Sequence, residues 1–276
     1  AYEMLRSLVG SEMCIRDSNN TNRVKTMKII ALIPARMESS RLPNKALLDI
    51  HGLPMIIHVA KRSKYSKSVD DVIVCTDSLD ILNECAKHEV DCFLTKKIHK
   101  NGTERICEVV NNIDISDNDL VIDIQGDEPL IHPETIDRLI SNFKKTKFDI
   151  MLPYIESNDL GNANIVKLST VGDEVFYMSR ADIPYSFTKE RKLKKHLSII
   201  IFTISALKKY STFQPSELEK IEGIELMRAL ENRLKIGTFK ESLESFSVDV
   251  FEDYQKVVRY MKNDTLNREY NFYHDF

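Results

Sequence analysis

The chain has 276 residues, 42% of them hydrophobic and 29% charged, with 39 Lys and Arg against 42 Asp and Glu. That excludes a disordered, collagen-like or small disulfide-stapled chain, because enough apolar side chains exist to bury a sizeable core. A formal net charge of -3 exerts no long-range pull on nucleic acid or anionic lipid, so a bound polyanion must be met by locally placed cations, and a small ligand is expected.

Residues 1–26 show no periodicity and include the polar tract Asn19-Asn20-Thr21-Asn22 shortly before Met27. They read as a non-native or disordered leader, and the stretch from Leu8 to Ser18 resembles the translation of a sequencing-library transposon end. A single domain is expected over 27–276. Its first run, Lys28 to Pro34, is short, β-branched and closed by Pro, which suits a strand buried on both faces. Helical spacing follows from Pro54 through Ala60. Asp71 to Thr76 reads as a second buried strand, and Asp77-Ser78 supply capping residues for a helix from Leu79. A strand at Val90 to Thr95, a helix from Thr103 to about Asn111, a strand at Leu120 to Ile124 and a helix opened by Pro133 continue the alternation. This pattern predicts a three-layer α/β/α fold on a mostly parallel, mixed sheet, with ligands at the carboxyl ends of the strands.

After Phe148 the strand candidates crowd together: Asp149 to Ile155, Ile165 to Leu168, Val175 to Met178 and His196 to Ile204. A strand-rich insert at about 150–205 is expected, with helices returning from about Ser216. The basic stretch from Phe187 to Lys195 reads as a solvated loop or as a lid over an acidic substrate. The five cysteines, Cys14, Cys75, Cys85, Cys92 and Cys107, form no CxxC pair, so neither a disulfide framework nor a zinc site is suggested and a reduced, cytoplasmic setting is expected. Nowhere do eighteen apolar residues run together, so no membrane-spanning helix is expected.

Between the first strand and its helix, the segment Ala35 to Lys45 carries Arg36, Ser39, Ser40, Arg41 and Lys45. Alone it would be a basic surface loop. At the carboxyl end of a buried strand it reads as a phosphate cradle, because triphosphate needs such charge-assisted donors. It is neither a Walker loop nor a GxGxxG turn, since both glycine patterns are absent.

This string, with Asn101-Gly102-Thr103-Glu104-Arg105 and Gln125-Gly126-Asp127-Glu128-Pro129-Leu130-Ile131, resembles the 3-deoxy-manno-octulosonate cytidylyltransferase (CMP-Kdo synthetase) family. The resemblance runs from Met27 to about Met261 and implies a Rossmann-like nucleotidyltransferase fold. It also implies transfer of CMP from CTP to the anomeric hydroxyl of an acidic, Kdo-like sugar, with release of pyrophosphate, for lipopolysaccharide synthesis. Mg2+ is the implied cofactor and a homodimer the implied assembly. Such in-line transfer needs positioning and charge neutralisation rather than a side-chain nucleophile.

Arg36 and Lys45 are expected on the triphosphate, and with Asp127 they are the expected catalytic residues. Ala35, Ser39 and Arg41 support the nucleotide. Asp127 follows the strand Leu120 to Ile124 and reads as a magnesium ligand, with Asp249, ahead of the last expected helix, as the second; each also suits a helix cap. The resemblance lays Asn101, Gly102 and Arg105 against the nucleotide and Gln125 near the base, although Glu104 and Arg105 also suit an exposed helical pair.

At the sugar end, Arg180, His196 and Glu225 match the family's pocket positions, and His196 reads equally as a core strand histidine. Around them the pattern departs: Ser198 and Ile200 replace the Gly and Tyr of His-x-Gly-x-Tyr, Leu226 replaces a Gln, and Val250 replaces a Thr. Loss of a polar pocket partner weakens discrimination for a hydroxylated ligand. Another acidic sugar, of the sialic acid or amino-Kdo type, and a non-catalytic nucleotide-sugar binding module are the competing readings.

Overall fold

The computed structural model describes residues 27–39, 41–96, 99–187 and 192–271. The expected leader 1–26, Ser40, and the Lys189 and Arg191 of the basic stretch lie outside the described residues. Strand β1 (Ile29–Ala35) is buried along its whole length. A 3-10 turn at Lys45–Leu47 and a short hairpin, β2 (Asp49–Ile50) with β3 (Leu53–Pro54), lead into α1 (Met55–Lys64). The first-half elements that follow are β4 (Asp71–Thr76), α2 (Leu79–Lys87), β5 (Asp91–Leu94), α3 (Gly102–Val110), β6 (Leu120–Ile124) and α4 (Pro133–Phe143). The second half contains β7 (Ile150–Ser157), β8 (Lys167–Val171), β9 (Glu174–Ser179), β10 (Leu193–His196) and β11 (Ile199–Thr203). It ends with α5 (Ile204–Tyr210), α6 (Glu217–Glu222), α7 (Leu226–Glu231), β12 (Ile236–Lys240), α8 (Phe251–Met261) and α9 (Thr265–Tyr270).

Ten of these strands form one mixed sheet in the order β10-β8-β9-β12-β7-β11-β6-β1-β4-β5. The first half supplies its parallel part: β1 lies between β4 and β6, with Pro34 opposite Cys75 and Leu32 opposite Asp123. This registry brings the carboxyl ends of β1, β4 and β6 side by side. The strands from 150 onward do not build a separate sheet. β11 runs antiparallel between β6 and β7, and β12 runs parallel to β7. Beyond the end of β11, β10 takes over the same flank of β7, pairing His196 with Tyr154, and β10 also meets β8. Strands β7, β12, β9, β8 and β10 thereby close into a ring.

Two large apolar clusters cover the two faces of the sheet, one including α1 and α4 and the other α3 and α5. Helix α1 is enclosed nearly all round, so its polar side chains are individually bonded. His58 contacts the Tyr270 hydroxyl at 2.8 Å and the Ile50 carbonyl at 2.7 Å, while Arg62 donates to the Ile131 carbonyl at 2.8 Å and pairs with Asp264. Those bonds fasten the C-terminal helix to the first half of the chain, because a buried donor or acceptor left unmet costs about 1–3 kcal/mol.

The single strand expected over 196–204 is instead two strands. Ser198 breaks it, its carbonyl accepting from Gln125 N–H at 3.3 Å while Leu197 N–H donates to Pro153. That break lets β10 and β11 take different partners. α5, β12 and the small β2–β3 hairpin are further elements that the sequence pattern did not announce, and α9 follows α8, so Asp249 precedes the penultimate helix.

Candidate functional site

One cleft opens at the carboxyl ends of β1 and β6. It is lined by residues of the 34–46 loop, by His99 to Gly102 and Arg105, by Gln125 to Asp127, and by Glu225 and Asp249. Three segments far apart in sequence meet there because β1 and β6 are neighbours and α3 starts directly above β1. Two glycines permit that closeness. A Cβ on Gly102 would sit 3.1 Å from Pro34 Cγ, and one on Gly126 would sit 2.8 Å from the Pro34 carbonyl oxygen and 3.1 Å from Ile56 Cδ1. Gly126→Ala is therefore expected to destabilise the fold by about 1–3 kcal/mol, as overpacking does, measurable by denaturant unfolding.

Ala35 ends β1, and Arg36 stands exposed at the start of the loop. Ser39 Oγ accepts from Leu42 N–H at 3.3 Å, holding the loop's return. Asn44 adopts the left-handed conformation with φ 54, which Asn tolerates better than most residues, and turns the chain so that Lys45 points back into the cleft. Lys45 Nζ lies 2.6 Å from Asp127 Oδ2 and 3.6 Å from Asp249 Oδ1, and Arg41 Nη2 donates to Asp249 Oδ1 at 2.8 Å. Lys45 and Arg41 thus form one continuous cluster with the two expected metal carboxylates, and Arg36 lines the same cleft.

The same cluster tests the fit of a divalent cation. Asp127 and Asp249 already share one ammonium, and no group of three or more His, Cys, Asp or Glu capable of holding a metal occurs among the described residues. A hard ion such as Mg2+ commonly takes one or two carboxylates and completes its shell with substrate phosphates and water. The donor set fits that pattern and does not fit a dedicated all-protein cage.

Asn101 Oδ1 accepts from Glu104 N–H at 2.8 Å and caps α3, so at the cleft wall its carboxamide is engaged in ordering the helix start. Arg105 is buried, donating to Thr95 Oγ1 at 2.7 Å and pairing with Asp77 at 3.1 Å. The alternative of an exposed Glu104–Arg105 pair does not hold: Glu104 instead meets Arg228 at 3.1 Å. Glu225 Oε2 receives Thr103 N–H and Oγ1–H at 3.2 and 2.7 Å. Burial pushes its carboxyl above the ordinary range, and the bonds from Thr103 and Gly102 oppose the rise.

The other sugar-side candidates do not line the cleft. Arg180 donates to the carbonyls of Glu222, Ala163 and Gly223 at 2.9, 3.0 and 3.1 Å, so its guanidinium ties the 160s loop to α6. His196 lies on β10 with a buried Nε2 that has no hydrogen-bond partner among the described residues. Desolvation pulls its pKa down to about 4. An unfolded His titrates near 6.5, so its contribution is complete above that pH and is lost as pH falls toward 4. His196→Leu should therefore lose less stability than the parent between pH 7 and 5, as read by thermal unfolding at both pH values.

Leu226 and Ile200 are core residues of the cluster over α3 and α5, while Ser198 stands beside Glu128 as a hydrogen-bond partner. Their departures from the resembling pattern thus include two buried apolar side chains and one hydroxyl with a bonding role. Two acids that the sequence did not single out also sit beneath the cleft. Asp123, enclosed in β6, accepts from Gln125 Nε2 at 2.9 Å through Oδ1, while Oδ2 has no partner among the described residues. Burial pushes its carboxyl well above the usual range and the charge of Glu225 adds to that, against the bond from Gln125. Glu128, also buried, receives the hydroxyls of Ser245 and Ser247. An Asp inside an apolar run and a Glu within a motif give no sequence signal of burial. Lys100 and His99, beside the Asn101 string, are further cleft residues found only in three dimensions.

The mixed sheet, the basic loop after its first parallel strand and the facing carboxylates define a nucleotidyltransferase. The cytidylyltransferase sequence profile matches residues 30–236. A 3-deoxy-manno-octulosonate cytidylyltransferase of Polynucleobacter asymbioticus is 36% identical over 251 residues, spanning 87% of this chain and 98% of its own. The enzyme of that name from Nitratiruptor is 33% identical over 241 residues, spanning 82% and 97%. Among solved structures, CMP:2-keto-3-deoxy-manno-octonic acid synthetase complexed with CTP superposes with a TM-score of 0.80 at 29% identity, covering 85% of this chain and 98% of that one. The inositol-1-phosphate CTP transferase from T. maritima, at 15% identity and a TM-score of 0.64, shares the fold. The chain belongs to the 3-deoxy-manno-octulosonate cytidylyltransferase (CMP-Kdo synthetase) family.

Proposed function

We propose that the protein transfers CMP from CTP to the anomeric hydroxyl of 3-deoxy-D-manno-octulosonate, giving CMP-Kdo and pyrophosphate for lipopolysaccharide synthesis. The observation that carries this reading is the convergence of Arg36, Arg41 and Lys45 with Asp127 and Asp249 in one cleft at the strand ends. Arg36 and Lys45 bind and orient the triphosphate, aided by Ser39 and Arg41, and neutralise charge that grows on the leaving pyrophosphate. Asp127 and Asp249 would hold Mg2+, which would supply charge neutralisation on the phosphates and lower the pKa of the sugar hydroxyl. Gln125 presents an amide to the cleft with one N–H donated to Asp123, which orients the group and offers its carbonyl oxygen and second N–H to a ligand. Glu225 offers a buried carboxylate to sugar hydroxyls.

Cys75, Cys85 and Cys107 are buried free thiols and Cys92 a partly buried one, which supports a reduced, cytoplasmic setting. The described residues contain no helix long and apolar enough to cross a membrane. A homodimer through the strand-rich segment is supported by the exposed side chains of Val171, Phe176, Tyr185 and Phe187.

The test is pyrophosphate release from CTP and Mg2+ across a panel comprising Kdo, an amino-substituted octulosonate and a sialic acid. Release with Kdo in excess over the others is the expected result. Release only with another acidic sugar overturns the substrate assignment, and CTP-induced thermal stabilisation without any release supports a binding module instead.

A further inference from the structure

Glu128 is 3% exposed, and a buried carboxylate is costly unless each of its oxygens is bonded. Here both are. Oε2 receives the Ser245 hydroxyl and Oε1 the Ser247 hydroxyl. Next to it, the Asp127 carbonyl accepts from Val248 N–H at 2.9 Å. The segment from Ser245 to Asp249 is neither helix nor strand, so no ladder of backbone bonds fixes its place. It is held instead at three successive points, Ser245, Ser247 and Val248, to two successive residues, Asp127 and Glu128.

Val248 adds an apolar anchor. It is fully buried in a small cluster with Leu42, which belongs to the phosphate loop, and with Leu130, two residues after Glu128. Asp249 is the next residue and reaches Lys45 at 3.6 Å and Arg41 at 2.8 Å. The spacing between the Asp127 and Asp249 carboxylates is therefore set by a seam in which the Glu128 carboxylate receives both serine hydroxyls. An apolar side chain would fill the same space at lower cost, but would give no direction to the two serines.

We propose that Glu128 is a positioning residue for the divalent-cation site: through Ser245 and Ser247 it sets Asp249 at the distance from Asp127 that one ion can span. It touches neither substrate nor ion. The inference rests on reading Asp127 and Asp249 as the cation's carboxylates. Residues that orient metal ligands typically change metal affinity by about 10–100-fold when removed.

The experiment measures Mn2+ binding to the full chain in the presence of CTP and without sugar, by electron paramagnetic resonance. Four variants are compared: Ser245→Ala/Ser247→Ala, Ser247→Thr, Glu128→Gln and Asp249→Asn. The double serine variant is expected to weaken Mn2+ binding about tenfold while CTP binding without metal stays within twofold and the thermal midpoint shows a folded chain. Ser247→Thr, which keeps the hydroxyl, is expected to bind Mn2+ as the parent does. Glu128→Gln retains a hydrogen-bonding group and is expected to fall between them. If the folded double serine variant binds Mn2+ within twofold of the parent while Asp249→Asn is weakened, the role of Glu128 is overturned and the carboxylate assignment stands. If Asp249→Asn also binds Mn2+ as the parent does, both are overturned.

Discussion

Asp127→Asn is expected to lower turnover by about a thousandfold at saturating CTP and sugar, equivalent to about 4 kcal/mol of transition-state stabilisation. The substitution is isosteric, and an amide oxygen can still accept from Lys45, which lies 2.6 Å from the carboxylate. What it removes is a negative charge at the exit of β6, where a hard cation needs an anionic oxygen. Fold stability should change little, because Asp127 is a partly exposed cleft residue and the Val248 bond is made by its backbone carbonyl. Pyrophosphate release measured across a range of Mg2+ concentrations separates weaker cation binding from slower turnover with the cation bound. Turnover within threefold of the parent, at any Mg2+ concentration, would sink the assignment.

Lys45→Met is expected to cost about a hundredfold in kcat/KM for CTP, since a charge-assisted contact to phosphate made in a shielded cleft is among the strong hydrogen bonds available to a protein. Methionine retains most of the aliphatic stem, so the packing of the 3-10 turn survives and the ammonium alone is lost. A kcat/KM for CTP within threefold of the parent would remove Lys45 from the triphosphate.

The parallel core was legible in the sequence because strands buried on both faces need unbroken apolar runs. β1, β4 and β6 fall within one residue of their expected bounds for that reason. β12 was not legible: Ile236-Gly237-Thr238-Phe239-Lys240 has no clean alternation, and its place beside β7 is decided by tertiary pairing. The break at Ser198 was equally invisible, being imposed by neighbouring strands. In the cleft, Arg36, Lys45 and Asp127 could be chosen from charge type and position relative to strands, and Asp249 from its place ahead of a helix together with the family resemblance. Arg180 could not be resolved that way, because its carbonyl partners at Ala163, Glu222 and Gly223 come from the 160s loop and the end of α6. Glu128 shows the reverse case, an acid inside a recognisable string whose burial depends on serines more than a hundred residues away.

The closure of β10 onto β7 leaves β5 as the one strand of the ten with a neighbour on a single side, among the described residues. Unpaired strand flanks are templates on which foreign chains can zip, and proteins protect themselves by keeping such flanks few and brief. β5 spans four residues, Asp91 to Leu94, opens with an acidic side chain and has α2 packed against it. Among the described residues, the curl at the far end of the sheet thus leaves β5 as the one strand wholly without a partner on one side, and that margin is short and charge-guarded.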